Sequence, residues 1–329
     1  MSAKHYTHIT LEERIEIWHG LNCAKSARKI ALELGRNPRT IQREIQRNMN
    51  KYTGKYEVMF AHDKAKQRRK HSKRKRKIDE DQQLKKIIAT LISKRKWSPE
   101  QISGRLKLKK SSHQISFSTI YRYIHQGLFD RGRKHKIEFR YNLRHNGTNK
   151  RSKIPDGSGK IPRMKNISER DPVVDERGRI GDWEVDTVIG KQGEKCLVTI
   201  VDRNSRLLVG GLSNDKSSIN VKNVIEQSLR DFECHTLTGD CGREFSLFSD
   251  IESILDCMFY FADPHSPWQK GTNENTNGLL REFFPKGQSL NEISKEFVCR
   301  AFGLLNSRPR KCLSYKTPFE VYKEARHLQ

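Results

Sequence analysis

Three acidic residues, widely spaced, constrain this chain more than any other feature. The last, Glu274, lies in Phe261 to Gly287, FADPHSPWQKGTNENTNGLLREFFPKG. The pattern predicts a helix capped by Thr272 or Asn273 and stopped by Pro285 and Gly287. Leu279, Leu280, Phe283 and Phe284 fall on one side of it. Glu274, Asn277, Gly278 and Arg281 share the other. A glutamate in a first turn commonly serves only the helix dipole. Its spacing gives it more weight. Asp240 in LTGDCGREF precedes it with 33 residues between (241–273), and Asp186 in GDWEVDTVIG precedes Asp240 with 53 between (187–239). An Asp on a strand, an Asp at a second strand end and a Glu on a helix can hold two divalent cations and break a phosphodiester bond.

The pattern around these acids is α/β. Strands are expected over Trp183 to Ile189, Cys196 to Val201, Arg206 to Leu212, His235 to Thr238 and Met258 to Ala262. Amphipathic helices are expected over Val221 to Phe232 and Phe248 to Leu255. Strand alternation puts Asp182, Glu184 and Asp186 on one face and does not choose among them. Asp182 and Glu184 are expected to be solvated or supporting residues. Asp202 on the next strand is a further candidate. Clustered carboxylates repel unless cations neutralise them, and oxygen-only ligands favour Mg²⁺ or Mn²⁺ over zinc.

The formal net charge is +26 over 329 residues, which makes a polyanion the default partner. No apolar run approaches the ~20 residues of a membrane-spanning helix, so a membrane partner is not expected. MSAKHYTHIT has no apolar signal segment, and a cytoplasmic location is expected. The seven cysteines contain no CxxC pair, which argues against a disulfide framework or a zinc ribbon. Most are expected to be buried. No GxxxxGK loop implies ATP.

The N-terminal region reads as helical. Thr10 and Glu13 have capping-box spacing. A second helix is expected from Ala24 to Leu34, ended by Gly35. Asn37 caps a third that Pro38 opens. Ile41 and Ile45 face in, while Arg39, Gln42, Arg43, Gln46 and Arg47 face out, with Arg36 just before. Helix, glycine turn and an Arg/Gln-rich helix form the layout of a helix-turn-helix, and these side chains suit guanine and adenine edges. The basic run His62 to Lys77 reads as a linker. Asp79 to Gln126 reads as a second helical unit with a strong start at Ser98-Pro99-Glu100-Gln101. Its last helix presents Tyr121, Arg122 and His125 outward. A dimerisation module is an equal alternative for this unit. Asp130 to Lys165 is basic, carries Gly157 and Gly159, and reads as a linker lying along DNA.

The contexts of the three acids, with IALELGRNPRTIQREIQRN, WSPEQISGRLK and LNSRPRKCLSYKTPFEVY, resemble transposases of the IS-thirty insertion-sequence family across essentially the whole chain. Cys241 stands where a small polar residue such as Asn is expected. The resemblance selects Asp186 and implies Asp186, Asp240 and Glu274 as the catalytic and metal-binding set, with two Mg²⁺ or Mn²⁺ ions. It implies a ribonuclease-H-like α/β domain, a mixed five-stranded sheet with helices, preceded by all-α helix-turn-helix domains. The expected division is 1–60 helix-turn-helix, 61–78 linker, 79–128 second helix-turn-helix, 129–169 linker and 170–329 catalytic domain. Lys191, Lys270, Asn273, Asn277, Arg281 and Arg308 are expected near DNA, and Trp268 to pack under its loop. The implied activity is DNA transposition: binding of terminal inverted repeats, strand cleavage, and joining of a 3′-hydroxyl to target DNA by at least a dimer, in the bacterial cytoplasm at the nucleoid. A non-catalytic DNA-binding regulator and a nuclease without joining activity are the alternatives.

Overall fold

Capping residues punctuate the first unit much as their spacing dictates. In the computed structural model, residues 7–72, 78, 81–130, 139–143, 164–264 and 266–327 are described. The chain divides into two compact units, Met1–Gln82 and Gln83–Gln329. In the first, α1 (Leu11–Asn22) starts with the Thr10/Glu13 capping box. Helix α2 (Ala27–Glu33) begins later than the Ala24 expected, because the Ser26 side chain accepts from Lys29 N and Ala24 takes a left-handed φ of 53°. Helix α3 (Pro38–Asn48) has the Asn37 cap and the N1 proline. Ile17, Ile30, Ala31, Ile41 and Ala61 form the core they share.

The basic run after residue 61, expected as a linker, is helical as far as Ser72. Helix α4 spans Val58–Ser72 and buries Ala61 and Ala65. Two small residues one turn apart suffice to seat it, and the charges take the solvated face. Buried Arg14 donates to Glu44 (2.7 Å) and to the Ile9 carbonyl (2.9 Å), tying α1 to α3. Residues 73–77 lie outside the described residues.

The second unit opens with α5 (Gln82–Ser93), α6 (Pro99–Leu108) and α7 (Phe117–His125). Ser98 and Gln101 close a capping box on α6. Helix α6 seats against the C-terminal segment at Gly104, where a Cβ would lie 2.3 Å from the Tyr315 ring. Arg105 reaches past it to ion-pair with Glu320, and donates to the Tyr315 carbonyl at 3.1 Å. The guanidinium holds the Glu320 carboxyl down at about 2, below the ordinary 4.5. A lowered folded-state value means that this contribution to stability is present above pH 4.5 and lost as pH falls toward 2. We expect Arg105→Ala to flatten that limb of an acid melt, while Gly104→Leu undocks α6 at all pH values; thermal melts from pH 2 to 7 read both.

The sheet follows. Its strands are β1 (Lys165–Asn166), β2 (Asp182–Ile189), β3 (Cys196–Asp202), β4 (Leu208–Ser213), β5 (Thr236–Gly239) and β6 (Met258–Phe261), in the order β1-β6-β5-β2-β3-β4. The short helix α8 (Val173–Glu176) lies between β1 and β2. Strands β2, β3 and β4 pair antiparallel, and β2, β5, β6 and β1 pair parallel. Three meander strands followed by parallel crossovers through α9 (Ser218–Leu229) and α10 (Phe248–Leu255) give a ribonuclease-H-like sheet. The five expected strands are joined by a sixth, β1, at the edge, so the chain enters the sheet at Lys165. Of the 130–165 stretch read as a linker, residues 131–138 and 144–163 lie outside the described residues.

Alternation sorts the two faces of the sheet. Trp183, Val185, Val198 and Ile200 pack with Val221 and Ile225 of α9 and Ile251 of α10. Val188, Leu197 and Val201 pack with Leu279 and Leu280 of α11 (Gly271–Leu280) and with Val298 and Leu305 of α12 (Lys295–Asn306). Helix α13 (Pro318–Arg326) adds Tyr322 to the first cluster. Helices cover both faces, so acids that read as solvated along β2 are enclosed.

Candidate active site

Parallel pairing brings Asp186 and Asp240 together. Strands β2 and β5 are in register from Asp182↔Thr236 to Glu184↔Thr238. Asp186 lies two residues past the last of these pairs on β2, Asp240 follows the end of β5, and Lys270 Nζ lies within 4 Å of both carboxylates. The turn after β5 needs its glycine: a Cβ on Gly242 would lie 2.4 Å from Glu244 Oε2 and 2.9 Å from Asp240 Oδ1. Its amide donates to Asp240 Oδ1 at 3.1 Å. Glu244 is buried below, accepting from Thr187 (3.0 Å) and paired with Lys216 (2.8 Å).

Helix α11 is fixed over these strands by amide and carboxylate contacts, not by the expected side-chain cap. It starts at Gly271, and neither Thr272 nor Asn273 caps it. Fully buried Glu184 takes that role from β2, accepting from the Asn273 backbone N–H at 2.8 Å. Arg203 donates to the other Glu184 oxygen at 2.8 Å. The Asn273 side chain donates to the carbonyls of Glu184 (3.0 Å) and Thr199 (3.2 Å). One turn on, Asn277 donates to Asp186 Oδ2 at 2.9 Å. Glu274 lies three residues before Asn277, and its side chain is exposed.

A cation already stands between the two aspartates. Lys270 Nζ lies 3.9 Å from Asp186 Oδ1 and 3.5 Å from Asp240 Oδ2, and donates to the Val185 carbonyl at 3.3 Å. Burial pushes the Asp186 carboxyl above its ordinary value; Asp240 adds to the rise and Lys270 opposes it. Among the described residues, no three His, Cys, Asp or Glu side chains group closely enough to hold a metal ion. The structure therefore joins Asp186 and Asp240 through Lys270 and leaves Glu274 apart from them. Carboxylate oxygens placed around an ammonium suit a hard divalent cation by charge and donor type.

The other acids have different work. Asp182 is buried, accepting from Arg179 (2.8 Å) and Thr236 (2.8 Å). Asp202 is buried at the β3–β4 turn, accepting from the amides of Gly181 (3.0 Å) and Ser205 (2.7 Å). Burial pushes its carboxyl up to about 6. Of the two roles expected for Asp182 and Glu184, solvated or supporting, they take the supporting one, and Asp202 serves its turn.

Residues 5–48 match a family described as helix-turn-helix domain. The chain is 38% identical over 320 residues to the transposase for insertion sequence element IS4351 of Bacteroides fragilis, covering 96% of each chain. It is 35% identical over 324 residues to transposase InsI for insertion sequence element IS30A of Escherichia coli (strain K12), covering 95% of this chain and 83% of that one. The chain belongs to the IS30 family of transposases. Its fold also aligns with the catalytic core domain of BIV integrase at 19% identity and a TM-score of 0.36, over 45% of this chain and 97% of that one.

Several side chains assigned to DNA by sequence are occupied within the transposase itself. Arg308 is 0% exposed, donates to Glu282 at 2.8 Å and lies over the Phe283 ring. Asn273 is equally buried in the strand–helix network, and Asn277 holds Asp186. Arg281 donates to the carbonyls of Ile189 and Phe284 at 3.0 and 3.3 Å. Arg36 pairs with Glu13 at 2.7 Å and bonds Thr7. Tyr121, expected outward, is half-buried and lines a cavity of about 810 Å³ with Trp97, Arg310 and Tyr315. Arg39, Gln42, Arg43, Gln46, Arg47, Arg122 and Lys191 are exposed. Trp268, expected to pack, is 73% exposed. Of the cysteines, Cys196 and Cys257 are buried, Cys234 and Cys241 are partly so, and Cys23, Cys299 and Cys312 are exposed. Burial of these polar side chains depends on which strand face α11 and α12 cover, and composition does not record that. Glu184, Glu244, Arg203, Thr199, Lys216 and Gly242 belong to the site's support; Arg203, Thr199, Lys216 and Gly242 carried no signal in the sequence, whereas Glu184 shared the Asp186 face.

Proposed function

We propose that Asp186, Asp240 and Glu274 are the catalytic carboxylates of this DNA transposase. The approach of Asp186 on β2 and Asp240 just after β5 to one ammonium, with 53 residues between them (187–239), carries the reading. The three side chains are the oxygen ligands for Mg²⁺ or Mn²⁺, with Glu274 completing the set. Two such ions, when bound, supply activation of the attacking water or 3′-hydroxyl and stabilisation of the leaving oxygen. Glu184 and Asn273 hold α11 against β2, and Asn277 fixes the orientation of the Asp186 carboxylate. A cation beside Asp186 opposes the rise that burial and Asp240 impose on its carboxyl.

Residues 1–60 are taken as the repeat-reading domain, 79–128 as a second DNA-binding module and 170–329 as the catalytic domain. DNA binding follows from the helix-turn-helix unit and the charge of +26. Helix α3 presents Arg39, Gln42, Arg43, Gln46 and Arg47 on one solvated face, which suits the major groove. Pairing two element ends needs two copies, so the working species is at least a dimer on DNA. No helix among the described residues is long and apolar enough to cross a membrane.

Arg43→Ala should weaken binding to the element's terminal repeat by about 1–3 kcal/mol and relax base preference there, whereas Lys191→Ala should weaken all duplexes alike. Anisotropy titrations at fixed salt separate the two effects. The function itself is tested with a labelled duplex carrying the element's own end. Mg²⁺-dependent cleavage followed by joining supports transposition. Cleavage without joining supports a nuclease, and binding without chemistry a regulator.

A further inference from the structure

We propose that Lys270 is a resident placeholder cation that keeps the divalent-cation position closed until DNA draws its ammonium away. The inference rests on the assignment of Asp186 and Asp240 as metal ligands. Lys270 Nζ is anchored by the Val185 carbonyl at 3.3 Å and placed between the carboxylates at 3.9 and 3.5 Å. The two carboxylates beside the ammonium are those that would hold a divalent ion, so ion and ammonium would compete for them. A single positive charge offsets only half of the paired negative charge, which leaves the site selective for a stronger cation once the lysine moves. The residue is buried, yet it ends the short 3₁₀ turn Pro267–Lys270, whose Trp268 is exposed, and it sits immediately before α11. A lysine has a flexible four-carbon stem and three donors, so it can turn to a phosphate without moving the helix. A backbone phosphate beside the aspartates offers that alternative partner. Its approach both frees the metal position and gives the ammonium an anion. Metal uptake and DNA arrival are thereby coupled, and by linkage each favours the other.

The test is Mn²⁺ binding, read as loss of the free-ion electron paramagnetic resonance signal, with and without the end duplex. It needs no turnover. Full-length wild type, Lys270→Gln and Lys270→Arg are compared, after circular dichroism confirms folding. Without DNA, Lys270→Gln should bind Mn²⁺ about tenfold more tightly than wild type or better, and Lys270→Arg, which keeps the charge, should stay near wild type. Adding duplex should tighten wild type and change Lys270→Gln little. Equal DNA-free affinity of wild type and Lys270→Gln overturns the placeholder role while leaving the ligands in place. Asp186→Asn combined with Asp240→Asn tells the other failure apart: binding that survives this pair in both lysine backgrounds overturns the ligand assignment itself.

Discussion

Asp186→Asn and Asp240→Asn, each made alone, should lower cleavage and joining of the element's end by on the order of 10³-fold, about 4 kcal/mol of barrier, while the protein stays folded. Each change swaps a charged oxygen ligand for an amide whose nitrogen repels a cation. Neither should unfold the domain. Burial and Asp240 disfavour charge on the Asp186 carboxylate, and Lys270 favours it. A neutral Asn removes both effects, so the metal-free melting temperature should change little. Single-turnover assays beside thermal melts give both numbers. Loss of activity with loss of fold would instead mark these residues as structural.

Arg203→Met has the largest expected effect on stability. Arg203 and Glu184 are both buried and paired at 2.8 Å, and Arg203 also donates to the Val174 carbonyl at 3.1 Å. Removing one partner strands a buried charge, which costs about 3–5 kcal/mol. For a unit of this size the melting temperature should drop by roughly 10 °C. The loss reaches the site, because Glu184 also accepts from Asn273 at the start of α11. Glu184→Gln with Arg203→Met should recover part of the stability, since no unpaired charge then remains. A double-mutant cycle by thermal melts measures the coupling, and equal losses for the single and double variants would show that the pair is not the cause.

Local rules read well where the chemistry is local. The Thr10/Glu13 and Ser98/Gln101 capping boxes, the Asn37-Pro38 start and the Phe248–Leu255 helix follow from neighbouring residues alone. The strands around Asp186 were legible from β-branched alternation. What needed the fold was long-range. Alternation placed Asp182, Glu184 and Asp186 on one face but could not show that α11 covers it, which turns Glu184 from a solvated acid into a helix cap. Charge drew Arg308 and Lys270 toward DNA, whereas packing buries one beside Glu282 and sets the other between aspartates. The basic run after residue 61 reads as a linker from its charge, and Ala61 and Ala65 seat its part up to Ser72 as a helix. Family resemblance chose Asp186, and the parallel register of β2 and β5 supplies the physical reason for its pairing with Asp240.

The most direct measurement is strand joining by Glu274→Gln on the labelled end duplex in Mg²⁺. Glu274 is the carboxylate that the structure leaves apart from the other two, so it tests the assignment where it is most exposed. The account predicts joined product from wild type, its loss in EDTA, and none from the folded variant. Joining by Glu274→Gln at the wild-type rate would contradict the three-carboxylate site.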